Sequence, residues 1–533
     1  MGGVIVKKLY RRLTSSLFLT VIVSLLEISL IIIFLLFLRF LGEALIDFYA
    51  IQINEALAYF ISRAVFIMVE VIFFLVVVDK NENPEYKIPW ITLILLLPYL
   101  AFVIYLFFAN HGLGRVEKFV VKRNKEIKKD EFVLNKEERL AFQENIPITY
   151  RGVFKYLRRT TGMQCTRNNR VTYFKNGEAF FPDLVHSLKL AKEYIFIEFF
   201  IIGEGKWWSE IEKVLLEKVK EGVEVRILYD ALGSLAILPN NYARKMRKKG
   251  LKIYKFHPFK PMLSGTYNNR DHRKIVVVDH QLAYTGGMNL ADEYANSIER
   301  FGYWKDTMVK IEGPGIGNLI TIFLENFDLS CGRISDYHKY LAKPYCHYED
   351  EGFIYAFGDG PGSYGNNEPI GEENYIQIIN GALKTLWIST PYLIPTYRLL
   401  EALKTAAKRG VDVKLFIPGI PDKRIVYWLA KTEFKQLLDS GVKVYIYKPG
   451  FNHEKQIVAD NILAFCGTIN FDFRSLTHHF ECGVTMYDVP CIKDMVKDFE
   501  EMESLSIEAQ AGKKLNFIQK TIVAVIKIFR TML

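Results

Sequence analysis

The sequence contains one five-residue pattern twice, and this duplication limits the possible folds more than any other feature. The two copies are His272, Lys274, Asp279, Gly286 and Asn289, and His453, Lys455, Asp460, Gly467 and Asn470. In both copies the lysine, the aspartate, the glycine and the asparagine follow the histidine at the same intervals along the chain. A pattern repeated at equal spacing indicates two structurally similar halves.

The region that carries the two copies alternates short apolar runs with helical stretches. Predicted strands lie at 194–200, 223–229 and 275–278 in the first half, and at 386–389, 411–417 and 442–447 in the second. Strands that alternate with helices are typical of an α/β fold with a covered sheet. We therefore expect two tandem α/β domains related by a pseudo-twofold axis, preceded by an N-terminal transmembrane helical region.

The N-terminal region is apolar enough to enter a membrane. Positions 16–38 form an apolar run whose only charge is Glu27, and positions 88–108 form a second apolar run of similar length. Helices of such lengths can cross the hydrocarbon core. Positions 56–78 also include charged side chains and are interpreted as an interfacial or re-entrant segment. The reason is that basic residues flank both ends of the region, and the positive-inside rule then requires an even number of crossings.

The spacing within each copy predicts a single shared site. On a strand, a histidine and a lysine two residues apart point to the same face. If the halves pack about a twofold axis, one pocket receives two imidazoles, two ammoniums and the amides of Asn289 and Asn470. The ammoniums and amides can hold phosphate oxygens. Two imidazoles suit a two-step displacement at phosphorus, in which one attacks and the other transfers the proton of the alcohol. The lysines supply the positive charge, so we expect neither a metal nor another cofactor.

Each histidine should have a carboxylate on its second ring nitrogen, which fixes the tautomer and orientation of the imidazole. Asp306 opens a predicted strand downstream of His272, and Glu481 opens another downstream of His453. We expect each carboxylate to orient the histidine of its own half and to support phosphate binding.

Four polar residues in or just after the two copies have other possible interpretations. Asp279 and Asp460 are kept as candidate catalytic residues, with an equally weighted structural role in holding the lysine and the turn. His478 and His479 follow the second copy without repeat partners in the first half. They are interpreted as surface or packing residues.

The composition points to an anionic partner. Lysine and arginine exceed aspartate and glutamate, which gives a formal net charge of +10. A basic surface suits nucleic acid or a membrane that contains acidic lipids. The six cysteines form no paired zinc-binding pattern. Cys466 and Cys482 are interpreted as small buried residues.

Both copies have the form H-x-K-x4-D-x6-G-x-x-N, and other short motifs accompany them. Residues 229–234 read YDALGS, residues 286–294 read GGMNLADEY and residues 472–475 read DFRS. In combination these motifs resemble those of the bacterial cardiolipin synthases of the phospholipase D superfamily, over nearly the whole chain. Thr468 and Glu454 stand where the family usually has a serine and a small residue.

The resemblance implies two phospholipase D-like domains and a phosphatidyltransferase activity. A phosphatidyl group from phosphatidylglycerol would move to His272 with release of glycerol, and a second phosphatidylglycerol would accept it to give cardiolipin. His453 would serve as general acid and base, although the reverse assignment stays open. The implied partners are phosphatidylglycerol and other anionic phospholipids, with a multi-pass anchor in the bacterial cytoplasmic membrane and no nucleic acid. A hydrolytic phospholipase D, a nuclease of the superfamily and a non-enzymatic membrane scaffold are the alternatives.

The expected regions are a transmembrane region at 1–110, a basic juxtamembrane connector at 111–170, a first phospholipase D-like domain at 171–335, a second at 336–505 and a basic amphipathic helix at 506–533. Apolar residues recur at helical spacing in the last region, with lysines and an arginine around them. Such a helix can lie in the headgroup region or pack on the catalytic domain.

Overall fold

A computed structural model describes most of the chain beyond residue 54. The described residues are 55–108, 119–123, 145–235, 237–258, 268–342, 345–349, 352–361, 368–510 and 516–532, with the single positions Ser29, Phe40 and Glu126. The expected membrane span at 16–38 lies outside them apart from Ser29. The chain divides into two compact units, one with Met1–His111 and Ala524–Met532, the other with Gly112–Pro258 and Asn268–Val523.

The first unit is helical. Helix α1 spans Glu55–Asp79, α2 spans Pro84–Leu96 and α3 spans Pro98–Phe108. Within the described residues, one segment is long and apolar enough to cross a membrane, Tyr59–Asp79 of α1. Most apolar side chains of α1 are exposed, which suits a lipid-facing helix. The interpretation of residues 56–78 as a re-entrant segment is corrected, because Glu55–Asp79 is one continuous helix, whereas the interfacial alternative stays a prediction.

The predicted span at 88–108 is interrupted in the structure. Leu97 has φ −144° and ψ 65°, outside the helical region, and Pro98 starts a new helix. Proline disfavours helical geometry in the residue before it and lacks the N–H that would continue the ladder. The two helices have 13 and 11 residues, fewer than the roughly 20 that a crossing needs. Two to three continuous spanning helices are thus not confirmed in the described residues.

In the second unit, the first half contributes eight strands within the described residues. They are β1 (Arg170–Phe174), β2 (Tyr194–Phe199), β3 (Glu224–Asp230), β4 (Lys252–Phe256), β5 (Lys274–Val278), β6 (Leu282–Gly286), β7 (Tyr303–Lys305) and β8 (Met308–Glu312). Seven of these form a sheet in the order β1-β8-β6-β5-β2-β3-β4. Strand β2 is buried along its length and pairs with β3 in parallel and with β5 in antiparallel fashion. An apolar run covered on both faces is what a central strand requires.

The second half repeats this arrangement within the described residues. Its strands are β9 (Phe353–Asp359), β10 (Thr385–Ser389), β11 (Leu393–Ile394), β12 (Asp412–Pro418), β13 (Lys443–Tyr447), β14 (Gly450–Asn452), β15 (Gln456–Ala459), β16 (Leu463–Gly467), β17 (Phe471–Asp472), β18 (Glu481–Tyr487) and β19 (Ser506–Glu508). Eight of them form a sheet in the order β19-β13-β12-β10-β15-β16-β18-β9. The expected α/β architecture with two sheets is confirmed.

The remaining helices include those that cover the sheets and connect their strands. In chain order they are α4 (Ile148–Thr161), α5 (Gly177–Lys189), α6 (Lys206–Lys220), α7 (Tyr242–Lys248), α8 (Ile316–Cys331), α9 (Tyr337–Leu341), α10 (Ile370–Gly381), α11 (Tyr397–Lys408), α12 (Arg424–Leu438), α13 (Phe473–Thr477), α14 (Ile492–Ser504) and α15 (Phe517–Ile528). Every residue of α8 from Ile316 to Asp328 is buried. Such a helix, apolar around most of its circumference, belongs to the centre of a core.

Two elements lie across the domain boundaries expected from the sequence. Helix α4 was expected within a polar connector, yet Val153, Phe154 and Leu157 are buried in the same core cluster as α10 of the second half. Strand β19 was expected within the C-terminal helix, yet it pairs with β13 in the second sheet. In both cases the partners are distant in sequence: apolar side chains of α4 pack into the core of the second half, whereas β19 is held by backbone pairing.

The two halves contact each other through reciprocal side chains. Thr285 at the end of β6 meets Cys482 of β18, with Oγ1 and Sγ 3.4 Å apart. Thr307, just before β8, meets Cys466 of β16 at 3.7 Å. Within the repeat, Thr285 corresponds to Cys466 because each directly precedes the first glycine of its motif. The exchange of corresponding partners is what an approximate twofold axis produces. Both cysteines are fully buried, as predicted.

Candidate active site

The two motif histidines lie where the halves meet. His272 lies two residues before β5, and its backbone N–H donates to the carbonyl of Phe480 at 2.9 Å. His453 lies after β14, and its backbone N–H donates to the carbonyl of Lys305 at 2.7 Å. Each acceptor belongs to the opposite half and directly precedes the carboxylate residue of that half. Backbone pairing across the interface therefore brings each histidine beside the other half's carboxylate.

The carboxylates are paired crosswise with the histidines. His272 Nδ1 lies 3.0 Å from both carboxylate oxygens of Glu481. His453 Nδ1 lies 2.6 Å from Oδ2 of Asp306. The prediction that both carboxylates face histidines is confirmed, but the pairing within each half was wrong. Glu481 and Asp306 are fully buried.

Both motif lysines are fully buried beside the histidines. Lys274 Nζ donates to the carbonyl of His272 at 2.6 Å. Lys455 Nζ donates to the carbonyl of His453, lies 2.8 Å from its Nδ1 and lies 3.9 Å from Oδ2 of Asp306. The spacing of two residues thus places ammonium and imidazole together, as predicted.

The motif aspartates lie away from these groups. Asp279 follows β5 at the end opposite His272 and accepts backbone N–H groups of Lys192, Glu193 and Tyr194 at 2.7–2.9 Å. Five strand residues separate its end of β5 from that of the histidine, roughly 16 Å. Its φ of 51° is left-handed, which aspartate tolerates better than most residues.

Asp460 repeats the geometry of Asp279 in the second half. It accepts backbone N–H groups of Leu383, Lys384 and Thr385, and the hydroxyl of Tyr150 at 2.7 Å. The expectation of a catalytic position for the two aspartates is corrected. Their carboxylates are occupied by the backbone at the start of the neighbouring strand and contact neither motif lysine.

The two motif asparagines differ in their surroundings. Asn289 accepts the N–H of Ile201 at 3.0 Å and donates to the hydroxyl of Tyr294 at 2.7 Å. The Tyr294 ring in turn packs edge-on against His453, with centroids 5.6 Å apart. Asn470 is buried, and its Oδ1 accepts no hydrogen bond from the described residues. Asn289 therefore supports the histidine of the other half through Tyr294.

A third histidine, His479, lies at the site, so its interpretation as a surface or packing residue is corrected. The His479 ring lies 5.4 Å from the His272 ring, and its Nδ1 is 3.4 Å from Oε1 of Glu481. Within the described residues, these three side chains place potential metal-ligating atoms within 4.8 Å of one another. The neighbouring Lys274 ammonium opposes a cation there. The position of His479, two residues before Glu481 and just ahead of β18, is the sequence signal that could have identified it.

The middle residue of each H-x-K segment ties the halves together. Arg273 is fully buried and donates to the backbone carbonyls of Glu481, Ile322 and Asp359 at 3.1 Å. These bonds connect β5 to the opposite half and to α8. The guanidinium thereby donates to carbonyl oxygens, and its charge also interacts with the buried carboxyl groups of Glu198 and Asp271.

Glu454, the departure noted in the second motif, is directed away from the reacting groups. Its Oε1 lies 2.6 Å from Nζ of Lys305, which also contacts Asp498 Oδ2 at 2.7 Å. All three side chains are buried. This ion-pair network fixes the residue whose carbonyl accepts the N–H of His453.

Burial sets the charge state of the site. The pKa of His272 is lowered to about 3, mainly by burial and also by Lys274 and His479, against the opposing effect of Glu481. Burial and Lys455 lower the pKa of His453 to about 4. Both imidazoles are therefore neutral near pH 7, with Nδ1 on a carboxylate and Nε2 left for a reacting group.

The pKa values of the two motif lysines are lowered as well. Burial lowers the pKa of Lys274 to about 7 and that of Lys455 to about 8, with Lys455 contributing to the shift of Lys274. Burial would raise the pKa of Glu481, but His272 and His479 hold it well below its usual range. A phosphodiester anion beside Lys274 and Lys455 would offset their mutual repulsion and raise the pKa of both. The site therefore favours the binding of an anion.

The comparison with known proteins agrees with this architecture. Residues 184–318 and 375–503 match the family model described as cardiolipin synthase, PLD-like domain. Cardiolipin synthase 2 of Bacillus anthracis is 33% identical over 426 residues, which cover 79% of this chain and 81% of that protein. The cardiolipin synthase of Geobacillus kaustophilus is 34% identical over 443 residues, which cover 81% and 85%.

Two further similarities extend over most of the chain. An uncharacterized protein of Streptococcus mutans serotype c is 40% identical over 462 residues, which cover 86% of this chain and 99% of that protein. The crystal structure of a phosphatidylserine synthase of Haemophilus influenzae superposes with a TM-score of 0.56 at 15% identity, over 72% of this chain and 100% of that one. This structural likeness shows the shared fold. By its sequence, its duplicated motif and its fold, the chain belongs to the cardiolipin synthase family of phospholipase D-like proteins.

Proposed function

We propose that the chain is a cardiolipin synthase, which transfers a phosphatidyl group between two phosphatidylglycerol molecules and releases glycerol. The observation that carries this proposal is the convergence of two crossed pairs, His272 with Glu481 and His453 with Asp306, at the interface of the halves. The family membership supports a phosphatidyltransferase of the phospholipase D type.

The charges at the site suit a phosphodiester. Lys274 and Lys455 are both fully buried next to the histidines. A phosphodiester anion between them would raise the pKa of both ammoniums. Its negative charge would replace the solvation by water that the ammoniums lose on burial. Asn289 and Asn470, as amides of the same motifs, are proposed to support this cradle.

In the first step, Nε2 of His272 attacks phosphorus while the bond from phosphorus to the glycerol oxygen breaks. His453 gives its proton to that oxygen, and Glu481 stabilises the positive charge on the phosphorylated imidazole. The anionic substrate and Asp306 favour the protonated form of His453 that this step needs. Glycerol then leaves.

In the second step, the hydroxyl of another phosphatidylglycerol gives its proton to His453 and attacks phosphorus. The bond from phosphorus to Nε2 of His272 breaks, and cardiolipin is released. The two steps are alike, so one set of residues serves both, and His453 alternates between acid and base.

We also propose that the enzyme acts at the bacterial cytoplasmic membrane through a multi-pass N-terminal region at about 1–110. Helix α1 supports this proposal with its long, apolar and exposed surface. The formal charge of +10 favours a surface of anionic lipids. The catalytic halves are proposed at about 171–335 and 336–510, with the helix beyond 515 at the headgroup level.

The test supplies labelled phosphatidylglycerol in vesicles to the purified full-length protein and identifies the products. Cardiolipin and glycerol are expected, and phosphatidic acid as sole product would identify a hydrolytic phospholipase D instead. His272→Ala and His453→Ala should each abolish cardiolipin formation. His186→Asn, an exposed residue on α5, is the control and should retain it. Full activity in either alanine variant would contradict the two-histidine mechanism, and no lipid product from the wild type would favour a non-enzymatic scaffold.

A further inference from the structure

The repeat is broken at one pair of equivalent positions beside the reacting histidines. Trp304 and His479 correspond, because each lies two residues before the carboxylate residue of its half. The Trp304 ring lies 5.6 Å from the His453 ring, and the His479 ring lies 5.4 Å from the His272 ring. An apolar ring thus occupies one of the two positions and a titratable ring the other.

Glu481 is shared between two imidazoles. His272 Nδ1 is 3.0 Å from both of its oxygens, and His479 Nδ1 is 3.4 Å from Oε1. Thr468 donates its hydroxyl to Oε2. The counterpart carboxylate in the other pair, Asp306, has no histidine besides His453 among its described contacts. A second imidazole therefore lies beside the carboxylate of the first pair, whereas a lysine, Lys455, lies beside the carboxylate of the second.

We propose that His479 is a positioning residue that controls phosphorylation of His272 through Glu481, an inference that rests on the phosphatidyl transfer proposed above. Neutral His479 restrains the carboxylate as a second neighbour. Protonated His479 would form an ion pair with the Glu481 carboxylate and offset part of its negative charge. Less of that charge then stabilises the positive imidazole that forms as Nε2 of His272 bonds to phosphorus. Formation of the adduct therefore requires neutral His479.

Several charged groups face His479 from the elements around it. Glu481 on β18 lies nearest, and His272 with Lys274 approaches from the start of β5. Asp472, which caps α13, is buried and interacts electrostatically with His479. A change in the charge of His479 would therefore act within a cluster that contains two carboxylates, an imidazole and a lysine.

Another group near His272 titrates near neutral pH. Burial raises the pKa of Asp271, the residue before His272, to about 7. The protonation of His272 itself, with a pKa of about 3, lies at lower pH. A pH profile of the wild type therefore does not distinguish Asp271 from His479, and variants at position 479 carry the test.

The experiment measures the first-turnover burst of p-nitrophenol from phosphatidyl-p-nitrophenol in anionic vesicles, with the full-length protein, between pH 5 and pH 8. The p-nitrophenolate leaves without a proton, so the burst reports the attack of His272. The wild-type burst rate should fall as the pH decreases. His479→Asn, whose amide can donate to Glu481 but does not ionise, should keep the burst at pH 8 within a few-fold and lose most of the acid-side fall. His479→Phe keeps a ring without a donor and should slow the burst by about tenfold at pH 8.

The proposal would be overturned if His479→Phe had the burst rate and the pH dependence of the wild type. It would also be overturned if the burst rate of His479→Asn fell with decreasing pH as steeply as that of the wild type. Recovery of the burst by asparagine but not by phenylalanine separates the polar contact with Glu481 from simple packing. His186→Asn is the matched control for the loss of a histidine and should retain the wild-type profile. A wild-type protein that gives neither a burst nor cardiolipin would instead contradict the proposed function.

Discussion

The crossed pairing can be tested by separating the two chemical steps. With phosphatidyl-p-nitrophenol the leaving group needs no general acid, so the burst depends on His272 and on the carboxylate that orients it. Steady-state turnover also requires His453 to activate the acceptor alcohol. Glu481→Gln and Asp306→Asn should therefore affect different phases of the same progress curve.

The expected magnitude follows from the contact that each variant removes. The 3.0 Å contact between His272 and Glu481 is a buried, charge-assisted hydrogen bond. Such a bond contributes about 1.5–3 kcal/mol, which corresponds to about 12- to 150-fold in rate. We expect Glu481→Gln to slow the burst by at least about tenfold. Asp306→Asn should leave the burst within a few-fold of wild type and lower steady-state turnover by at least about tenfold.

The assay is rapid-mixing detection of p-nitrophenol, with glycerol or phosphatidylglycerol as acceptor and His186→Asn as control. Peptide mass spectrometry after an alkaline quench locates the phosphatidyl adduct. If the adduct lies on His272, a slow burst in Asp306→Asn with a normal burst in Glu481→Gln would refute the crossed pairing. If the adduct lies on His453, the roles of the two histidines are exchanged, and the same pairing predicts the opposite phases.

Three further changes have expected outcomes. The kcat/KM for phosphatidylglycerol should decline between about pH 7 and pH 9, because Lys274 and Lys455, with pKa values of about 7 and 8, lose their protons in the free enzyme. Lys305→Met should lower stability by about 3–5 kcal/mol, because it leaves Glu454 buried without its cation. Thermal denaturation of the full-length protein measures this. Asp279→Asn should lower stability by about 1–3 kcal/mol, since it weakens the acceptor of three backbone N–H groups. The kcat of its folded fraction should be unchanged.

Each of these three predictions would be contradicted by a specific result. A kcat/KM that stays constant to pH 9 would show that the charge of Lys274 and Lys455 is not needed in the free enzyme. An unchanged thermal midpoint in Lys305→Met would contradict the buried ion pair. A large loss of kcat in folded Asp279→Asn would restore the catalytic role first considered for that residue.

The fold and the composition of the site could largely be predicted from the repeat. Equal spacing in the two copies predicted two similar α/β halves. The period of two along a strand correctly placed Lys274 next to His272 and Lys455 next to His453. The end of helix α2 at Leu97 also has a local cause, because the residue before a proline avoids helical geometry. Pro98 is therefore a sequence signal for this helix end.

The pairing of groups across the interface could not be predicted in this way. Asp306 and Glu481 occupy equivalent places in the repeat, so pairing within a half and pairing across the halves satisfy the same spacing. The structure selects the crossed pairs, because the backbone N–H of each histidine bonds to the residue directly before the other half's carboxylate.

The sequence by itself determined which side chains share a face, because that depends on the dihedral period of a single strand. It also determined that the chain has two equivalent halves, because equal spacing is preserved along the chain. Only the tertiary structure decided that Glu481 serves His272, that Asp306 serves His453 and that His479 lies beside the first of these pairs. The two crossed contacts join residues 147 to 209 positions apart, and their geometry depends on how two packed sheets meet rather than on any local pattern.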